Sequence, residues 1–256
     1  MHVLGSLIIV TALLGFVFAL PMVTRVETDP ELTAGFIEGD MVLDSTTRND
    51  LRDEVYRWPN NTVYYRFLTE FGNWGHHNHI LHGMKIIESV SCIRFEEAHE
   101  NITNYVFITG LPAGCFSSVG YLGAGAQTYN LEIYPLDQGC FRLGTIVHEF
   151  LHTLGFYHMQ SSANRDEYVF INKTNIAEGT LNNFNKYNTT VVDDFDEEYD
   201  YGSVLHYSAY AFSANGEMTI VPLKEDEAAG IMGQRRGMSK SDINRLNLMY
   251  RCPVKA

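Results

Sequence analysis

Apolar residues recur with helical spacing in two segments of the chain. Between residues 80 and 90 the apolar positions are Ile80, Leu81, Met84, Ile87 and Val90. In the stretch RLGTIVHEFLHTLG they are Leu143, Ile146, Val147, Phe150, Leu151 and Leu154. Residues three and four apart share one face of a helix, so both patterns predict a helix with a buried face.

Other segments are rich in β-branched and aromatic residues. They read TVYYRFL from Thr62, CIRFEEA from Cys92, NYVFITG from Asn104 and TYNLEIYPL from Thr128. Such composition predicts strands, and the partial alternation in the last segment predicts an edge strand. No repeat or linker interrupts residues 55–253, so the strands and helices together predict one α+β domain.

Three histidines lie in the second predicted helix and just after it. His148 and His152 are four residues apart, so their rings project from one face toward a common zinc at ~2.0–2.1 Å. Glu149 is placed to reach a metal-bound water rather than the metal. Gly155 allows a left-handed turn that ends the helix and brings His158 back to the same metal. Three nitrogen ligands and an open fourth position predict a catalytic site for one zinc ion.

The chain opens with an uncharged apolar run, MHVLGSLIIVTALLGFVFALP, whose small residue Ala19 fits a cleavage point. This run predicts a secretory signal peptide over residues 1–19 and therefore an extracellular protein that is free of the membrane once the signal is removed. The alternative is a membrane anchor, but the run is at the short limit for a span and no basic stop signal follows.

Residues 20–48 are acidic, carry no cysteine and are broken by Pro30 and several small polar residues. They end in TTRNDLRD, where Arg48 and then Arg52 are the preferred cleavage points for an activating trypsin-like protease. The segment is interpreted as a removable pro-segment in front of a domain over residues 49–256. The alternative is an ordinary N-terminal arm.

Composition and charge narrow the class of protein. The 256 residues are 45% apolar and 19% charged, which is typical of a globular chain. The net charge of −13 offers no basic field for a phosphate backbone, so the sequence argues against a nucleic-acid partner.

Cysteines and glycosylation sequons agree with secretion. An even number of cysteines predicts disulfides, and three pairings are open among Cys92, Cys115, Cys140 and Cys252. Sequons for N-linked glycosylation, which predict surface loops, occur at Asn60, Asn101, Asn172 and Asn188.

Four stretches within residues 57–252 resemble one known family. They read HEFLHTLGFYH, NRDEYVFI, SVLHYSAYAF and MGQRRGMSKSDINRLNLMYRC. In that order they are similar to the zinc helix, the DRDxYV stretch, the turn beneath the metal and the C-terminal helix with its closing cysteine in the astacin zinc endopeptidases. The resemblance implies a metzincin-type domain of two lobes. The N-terminal lobe would hold a twisted, mostly parallel sheet with an edge strand and helices, and the C-terminal lobe would be mostly irregular with a final helix.

The resemblance also implies roles for particular residues. His148, His152 and His158 would bind zinc, Glu149 would act as general base and then acid, and Tyr207 would stabilise the oxyanion. Cys92 would pair with Cys252, and Cys115 with Cys140. Asp40, in GFIEGD, would cap the zinc of the zymogen, although the family's F-x-G-D is here one residue longer. The alternative is that Asp40 is an ordinary acidic surface residue.

The chain departs from the family pattern in three ways. Leu205 replaces the methionine under the metal, a nearly volume-conserving change. Met159 replaces a glutamate that the family links to the new N-terminus, so the activation step is expected to differ. The sequence ends soon after Cys252, so substrate choice is expected to depend on the cleft.

The leading hypothesis is a secreted zinc endopeptidase made as a zymogen, with proteins or peptides as substrates. An extended substrate is expected to add beside residues 129–133. The alternatives are a binding module that keeps the fold without activity and a protein with a purely structural zinc.

Overall fold

The computed structural model describes residues 29–43, 54–68 and 73–253. The expected signal peptide, residues 1–19, and the cleavage candidates Arg48 and Arg52 lie outside the described residues. The strands are β1 Met41–Val42, β2 Thr62–Phe67, β3 Arg94–Glu97, β4 Tyr105–Thr109, β5 Cys115–Ser118, β6 Ala126–Leu131, β7 Val169–Ile171 and β8 Ile220–Pro222. The α-helices are α1 Trp74–Val90, α2 Leu143–Thr153 and α3 Lys240–Met249.

Six strands form the main sheet in the order β1-β5-β6-β4-β2-β3. Neighbours run parallel except β5, which is antiparallel to β6. β7 and β8 form a separate antiparallel pair. This mixed architecture confirms the predicted α+β class with a mostly parallel sheet.

The prediction that residues 128–136 contain an edge strand is wrong. β6 lies inside the sheet, where Tyr129 is opposite both Ile108 and Ser117. Asn130, a polar residue of this strand, is fully buried. Its amide accepts from Leu111 N at 2.8 Å and donates to Gly114 O at 2.7 Å, so its polarity is satisfied inside the protein.

β5, which the sequence pattern did not predict, has only β1 on its outer side. Met41 pairs with Ser117 and Val42 with Ser118, in parallel. The N-terminal segment that contains β1 therefore covers the edge of the sheet. Candidate residues 129–133 cannot offer that edge to a substrate, because Tyr129 and Asn130 are paired on both sides and Leu131 is paired with Cys115 of β5.

α1 begins earlier than its apolar pattern indicated. Asn73 caps it, since its side chain accepts from the backbone N–H groups of Gly75 and His76. α1 packs closely on α2 at Gly83, where an added Cβ would lie 2.6 Å from Ile146 Cγ2. This close packing fixes α2 against the sheet and α1, with Phe150 stacked on Tyr129 at 4.4 Å between ring centroids.

The part of the chain after α2 contains mostly turns and short 3-10 helices, with β7, β8 and α3. α3 begins with a capping box between Ser239 and Asp242. Disulfides join Cys92 to Cys252 and Cys115 to Cys140, the pairings that the resemblance implied. Within the described ranges, no helix has the length and apolar character needed to cross a bilayer.

Candidate metal centre

α2 and the turn after it bring the three histidines together. His148 and His152 are one helical turn apart on the buried helix. Gly155 has φ +102°, a conformation that a residue with a Cβ rarely adopts, and no neighbour would clash with a Cβ there. The glycine is therefore required by the backbone turn, which directs the chain back toward the helix and carries His158 to the other histidines.

The histidine Nε2 atoms and the Asp40 carboxylate converge on one point. Nε2 of His148 is 3.0 Å from Nε2 of His152 and 3.2 Å from Asp40 Oδ2. Asp40 Oδ2 is 3.3 Å from His158 Nε2, and Asp40 Oδ1 is 3.6 Å from His152 Nε2. A tetrahedral zinc with bonds of ~2.1 Å separates its ligand atoms by ~3.4 Å. The four buried side chains therefore fit one such ion.

The Nδ1 atoms of the three rings have different partners. His148 Nδ1 donates to Val204 O at 2.8 Å, and His152 Nδ1 donates to Phe156 O at 2.7 Å. A backbone carbonyl only accepts, so these contacts leave Nε2 of both rings free to bind metal. His158 Nδ1 instead lies 2.9 Å from the carboxylate oxygen Oε2 of Glu38.

Glu149 stands buried beside the cluster with neither carboxylate oxygen hydrogen-bonded within the described part of the chain. Burial raises its pKa well above the usual value, and the charges of Asp40 and Glu31 raise it further. Burial also acts to raise the pKa of Asp40, but the charges of His158 and His152 hold it well below its usual range. Two neighbouring carboxyl groups thus have opposite pKa shifts, and the charge of Asp40 is one of the causes that raise the pKa of Glu149.

Tyr207 closes the far side of the centre. Its ring lies 4.6 Å from that of His158, and its hydroxyl donates a short hydrogen bond to Glu38 O. Burial raises its pKa well above the usual value, and the charges of Glu38 and Asp40 add to the effect. Leu205, in the turn just before it, is buried and accepts a hydrogen bond at its carbonyl from Met159 N.

The segment from Phe36 to Asp40 forms a tight turn over the histidines. Gly39 has φ +91°, and a Cβ there would lie 2.7 Å from Glu31 O, so this position requires glycine. The turn directs both Glu38 and Asp40 into the centre, where they are fully buried. Sequence reasoning missed Glu38. The extra residue in GFIEGD marks a departure from the F-x-G-D spacing, but it does not indicate where the Glu38 side chain points.

The N-terminal segment, described over residues 29–43, has a second buried anchor at Glu31. Arg235 Nε donates to Glu31 Oε2 at 2.8 Å, and Thr145 Oγ1 donates to Glu31 Oε1 at 2.6 Å. Arg142 Nη2 is 3.4 Å from Glu31 Oε1. Burial acts to raise the pKa of Glu31, but the charges of Arg235, His148 and Arg142 and the hydrogen bond from Arg235 together lower it to about 2. The segment is therefore held at the start of α2 as well as at the histidines.

Met159 stands where the resemblance implies a carboxylate, and its side chain faces the guanidinium of Arg245. Met159 Sδ lies 2.7 Å from Arg245 Nη1, and Arg245 Nη2 donates to Glu198 O at 2.7 Å. Both side chains line a cavity behind the third histidine. Among the residues that the structure describes, Arg245 forms no ion pair with a carboxylate.

The sequence model of one family, Astacin (Peptidase family M12A), matches residues 50–251. The chain belongs to the astacin family. Seminal metalloprotease 1 of Drosophila melanogaster is 46% identical over 242 residues, 93% of this chain and 95% of that protein. Zinc metalloproteinase nas-4 of Caenorhabditis elegans is 35% identical over 240 residues, 90% of this chain and 73% of that protein.

A solved structure agrees with this assignment. High choriolytic enzyme 1, a hatching enzyme zinc-protease from Oryzias latipes, is similar with a TM-score of 0.68 and 33% identity, covering 77% of this chain and 94% of that one. This astacin-family chain is thus a zinc metalloendopeptidase, and its substrates are proteins or peptides. The metal that fits the cluster of three histidines and an aspartate is zinc.

The sequons of this astacin-family peptidase differ in exposure. Asn60, Asn101 and Asn188 are exposed, whereas Asn172 is half-buried. The side-chain oxygens of Asn172 and Asn188 accept hydrogen bonds from the threonines two residues later. Glycosylation at the four positions stays a prediction.

Proposed function

We propose that the chain is secreted as a zymogen and becomes an endopeptidase when residues 20–48 are removed. The observation that carries this proposal is the burial of Asp40 among the histidine Nε2 atoms, with Glu149 beside them. Asp40 belongs to the N-terminal segment, and its carboxylate closes a site whose histidines and Glu149 suit catalysis. Secretion is supported by the apolar N-terminus, the disulfides and the sequons.

In the active form, His148, His152 and His158 hold zinc. The bound ion supplies Lewis acidity, which lowers the pKa of water and polarises a peptide carbonyl. Glu149 takes the proton of the attacking water and then delivers it to the leaving amine. Removal of Asp40 also removes a negative charge that raises the pKa of Glu149, so the glutamate is more readily ionised as a base.

Tyr207 gains its role when the segment leaves. Its hydroxyl then loses the carbonyl of Glu38 as an acceptor and is free to donate to the oxygen of the attacked carbonyl. This reading is supported by the contact between the Tyr207 and His158 rings.

The substrate adds to β5, which replaces residues 129–133 as the candidate edge. The present occupant of that edge is the N-terminal segment: Ser117 N donates to Asp40 O, and Val119 N donates to Val42 O. Once the segment has left, the same backbone groups are available to an extended peptide. An activating trypsin-like protease acts after Arg48, or after Arg52, and the released domain needs no membrane or nucleic acid.

The test compares the trypsin-cleaved protein with its Glu149→Gln variant. We expect both to hold one zinc per chain, and only the unsubstituted protein to cut a denatured protein substrate. Zinc content is measured by atomic absorption and cleavage by gel and mass spectrometry. If the variant cuts at the unsubstituted rate, the role of Glu149 is wrong; if the cleaved protein with full zinc cuts nothing, the binding-module alternative is favoured.

A further inference from the structure

The third histidine differs from the other two in what fixes its ring. His148 and His152 each donate from Nδ1 to a backbone carbonyl of the protease domain, Val204 O or Phe156 O. These acceptors remain after activation because they are part of the domain. His158 Nδ1 has a carboxylate oxygen of Glu38 at 2.9 Å, and Glu38 belongs to the N-terminal segment.

The contact between Glu38 and His158 is enclosed by protein. The side chains of Glu38 and His158 are both 0% exposed. Around them lie the rings of Tyr207, in contact with His158, and of Tyr157, which packs against Tyr187. A carboxylate in such surroundings interacts strongly with an imidazole N–H because water does not compete.

A carboxylate on the outer nitrogen of a histidine ligand has known consequences for a metal site. It fixes the tautomer with Nδ1 protonated, orients the ring and makes Nε2 a stronger donor to the metal. Removal of such a partner typically weakens metal binding ~10- to 100-fold. Glu38 thus acts on the metal through His158, while Asp40 faces the metal position itself.

We propose that Glu38 is a positioning residue that makes the zymogen hold zinc more tightly than the mature enzyme does. The proposal rests on the proposed zymogen function and deepens it. The N-terminal segment then has two roles at the same centre, since Asp40 blocks the site and Glu38 helps to retain the ion during secretion. Cleavage removes both carboxylates, so His158 loses its outer partner when activity begins.

The experiment measures the zinc dissociation constant of the uncleaved chain by competition with a chromogenic chelator. Glu38→Ala is expected to weaken zinc binding ~10- to 100-fold. Glu38→Gln, whose amide oxygen still accepts from Nδ1, is expected to weaken it less. Asp29→Asn is the matched control, because it removes a carboxylate of the same segment that contacts Arg142 and no histidine.

Two further readouts separate positioning from folding. Cobalt loaded into uncleaved Glu38→Gln should have shifted visible absorption bands relative to the unsubstituted chain, whereas Asp29→Asn should not change them. Tryptic cleavage releases the same mature domain from every variant. The released domains should therefore bind zinc with one common affinity, weaker than that of the unsubstituted uncleaved chain.

The proposal is overturned if uncleaved Glu38→Ala binds zinc as tightly as the unsubstituted chain. It is equally overturned if Asp29→Asn weakens binding as much as Glu38→Ala, because general loosening of the segment would then be the cause. The peptidase assay on the cleaved domain decides the proposed function separately. Zinc binding by the uncleaved chain decides the role of Glu38.

Discussion

The metal centre has two halves, one formed by α2 and its following turn and one formed by the N-terminal segment, and different kinds of contact hold them. In the helix half, α2 and its glycine turn position the histidines, and neutral backbone carbonyls hold two of the rings. In the segment half, Glu38 and Asp40 supply two buried carboxylates. Burial of a charge is costly unless it is paired, so each carboxylate depends on the histidines beneath it. The helix half is thus held by neutral hydrogen bonds, whereas the half that activation is proposed to remove makes charged contacts.

This difference suggests how one centre is both stable and switchable. Neutral hydrogen bonds keep the helix half in place without requiring the segment. The contacts of the segment are charged, and in the proposed zymogen a single cleavage would remove all of them together. The comparison predicts that substitutions in the segment half change latency, and that conservative packing substitutions beneath the helix half, such as Leu205→Met, change zinc affinity and stability little.

The largest effect is expected from Asp40→Ala in the uncleaved chain. Breaking a buried charged contact costs ~3–5 kcal/mol, so closure of the site should weaken by ~100-fold or more. The pKa of Glu149 should also fall toward its usual value, because Asp40 is among the charges that raise it. Peptidase activity of the uncleaved chain should therefore rise from background.

A fluorogenic peptide assay checks this on a chain that also carries Arg48→Gln and Arg52→Gln, which prevent tryptic cleavage. The control is the same chain with Asp40 retained, and it should stay latent. Activity at background in the Asp40→Ala chain, with the cleaved unsubstituted protein active, would show that the segment blocks the site by other contacts.

The second effect concerns Glu31, the anchor that holds the segment at the start of α2 rather than at the metal position. A pKa of about 2, against an ordinary value of 4.5, corresponds to about 3 kcal/mol of stability. Because the pKa is lowered in the folded state, the contribution is fully present above pH 4.5 and is lost as the pH falls through about 2. Glu31→Gln should lower the free energy of unfolding of the uncleaved chain by about that amount near neutral pH.

Urea unfolding at several pH values measures the difference between the two proteins. The difference should shrink steadily as the pH falls from 4.5 toward 2. Asp29→Asn is the control, since its carboxylate is about one-third exposed and a small effect is expected. A difference that does not change with pH would mean that the charge of Glu31 is not what stabilises the segment.

Sequence reasoning succeeded in the helix half because the relevant information is local. The spacing of His148, His152 and Gly155 sets the geometry through one helix and one turn. Sequence reasoning failed where the structure depends on pairing between distant segments of the chain. The partial alternation in residues 128–136 suggested an edge, but the strands β4 and β5, which pair with β6 on its two sides, are visible only in the folded sheet.

Glu38 was missed for the same reason. Nothing in GFIEGD distinguishes an acidic side chain that points to solvent from one that reaches a ring more than a hundred residues later in the chain. Asp40 was expected only through the family resemblance. β5 was missed because its short CFSS sequence has little apolar character, and its burial depends on the segment that covers it.

The smallest effect is expected from Leu205→Met, which restores the residue of the family in the turn under the metal. Leu205 is buried, and its backbone already donates to Ser203 Oγ and accepts from Met159 N. Neither contact involves the side chain, so a swap of similar volume should change the free energy of unfolding by less than ~1.5 kcal/mol. Zinc affinity should be unchanged, because His148 is held by the carbonyl of Val204 and not by the Leu205 side chain.

Urea unfolding and chelator competition measure the two quantities, and Leu205→Ala is the matched control. The smaller side chain leaves a cavity and should cost ~2–5 kcal/mol. If Leu205→Met instead alters zinc affinity as much as Glu38→Ala does, packing beneath the helix half sets the metal geometry. The two halves of the centre would then not differ in the way that their hydrogen bonds indicate.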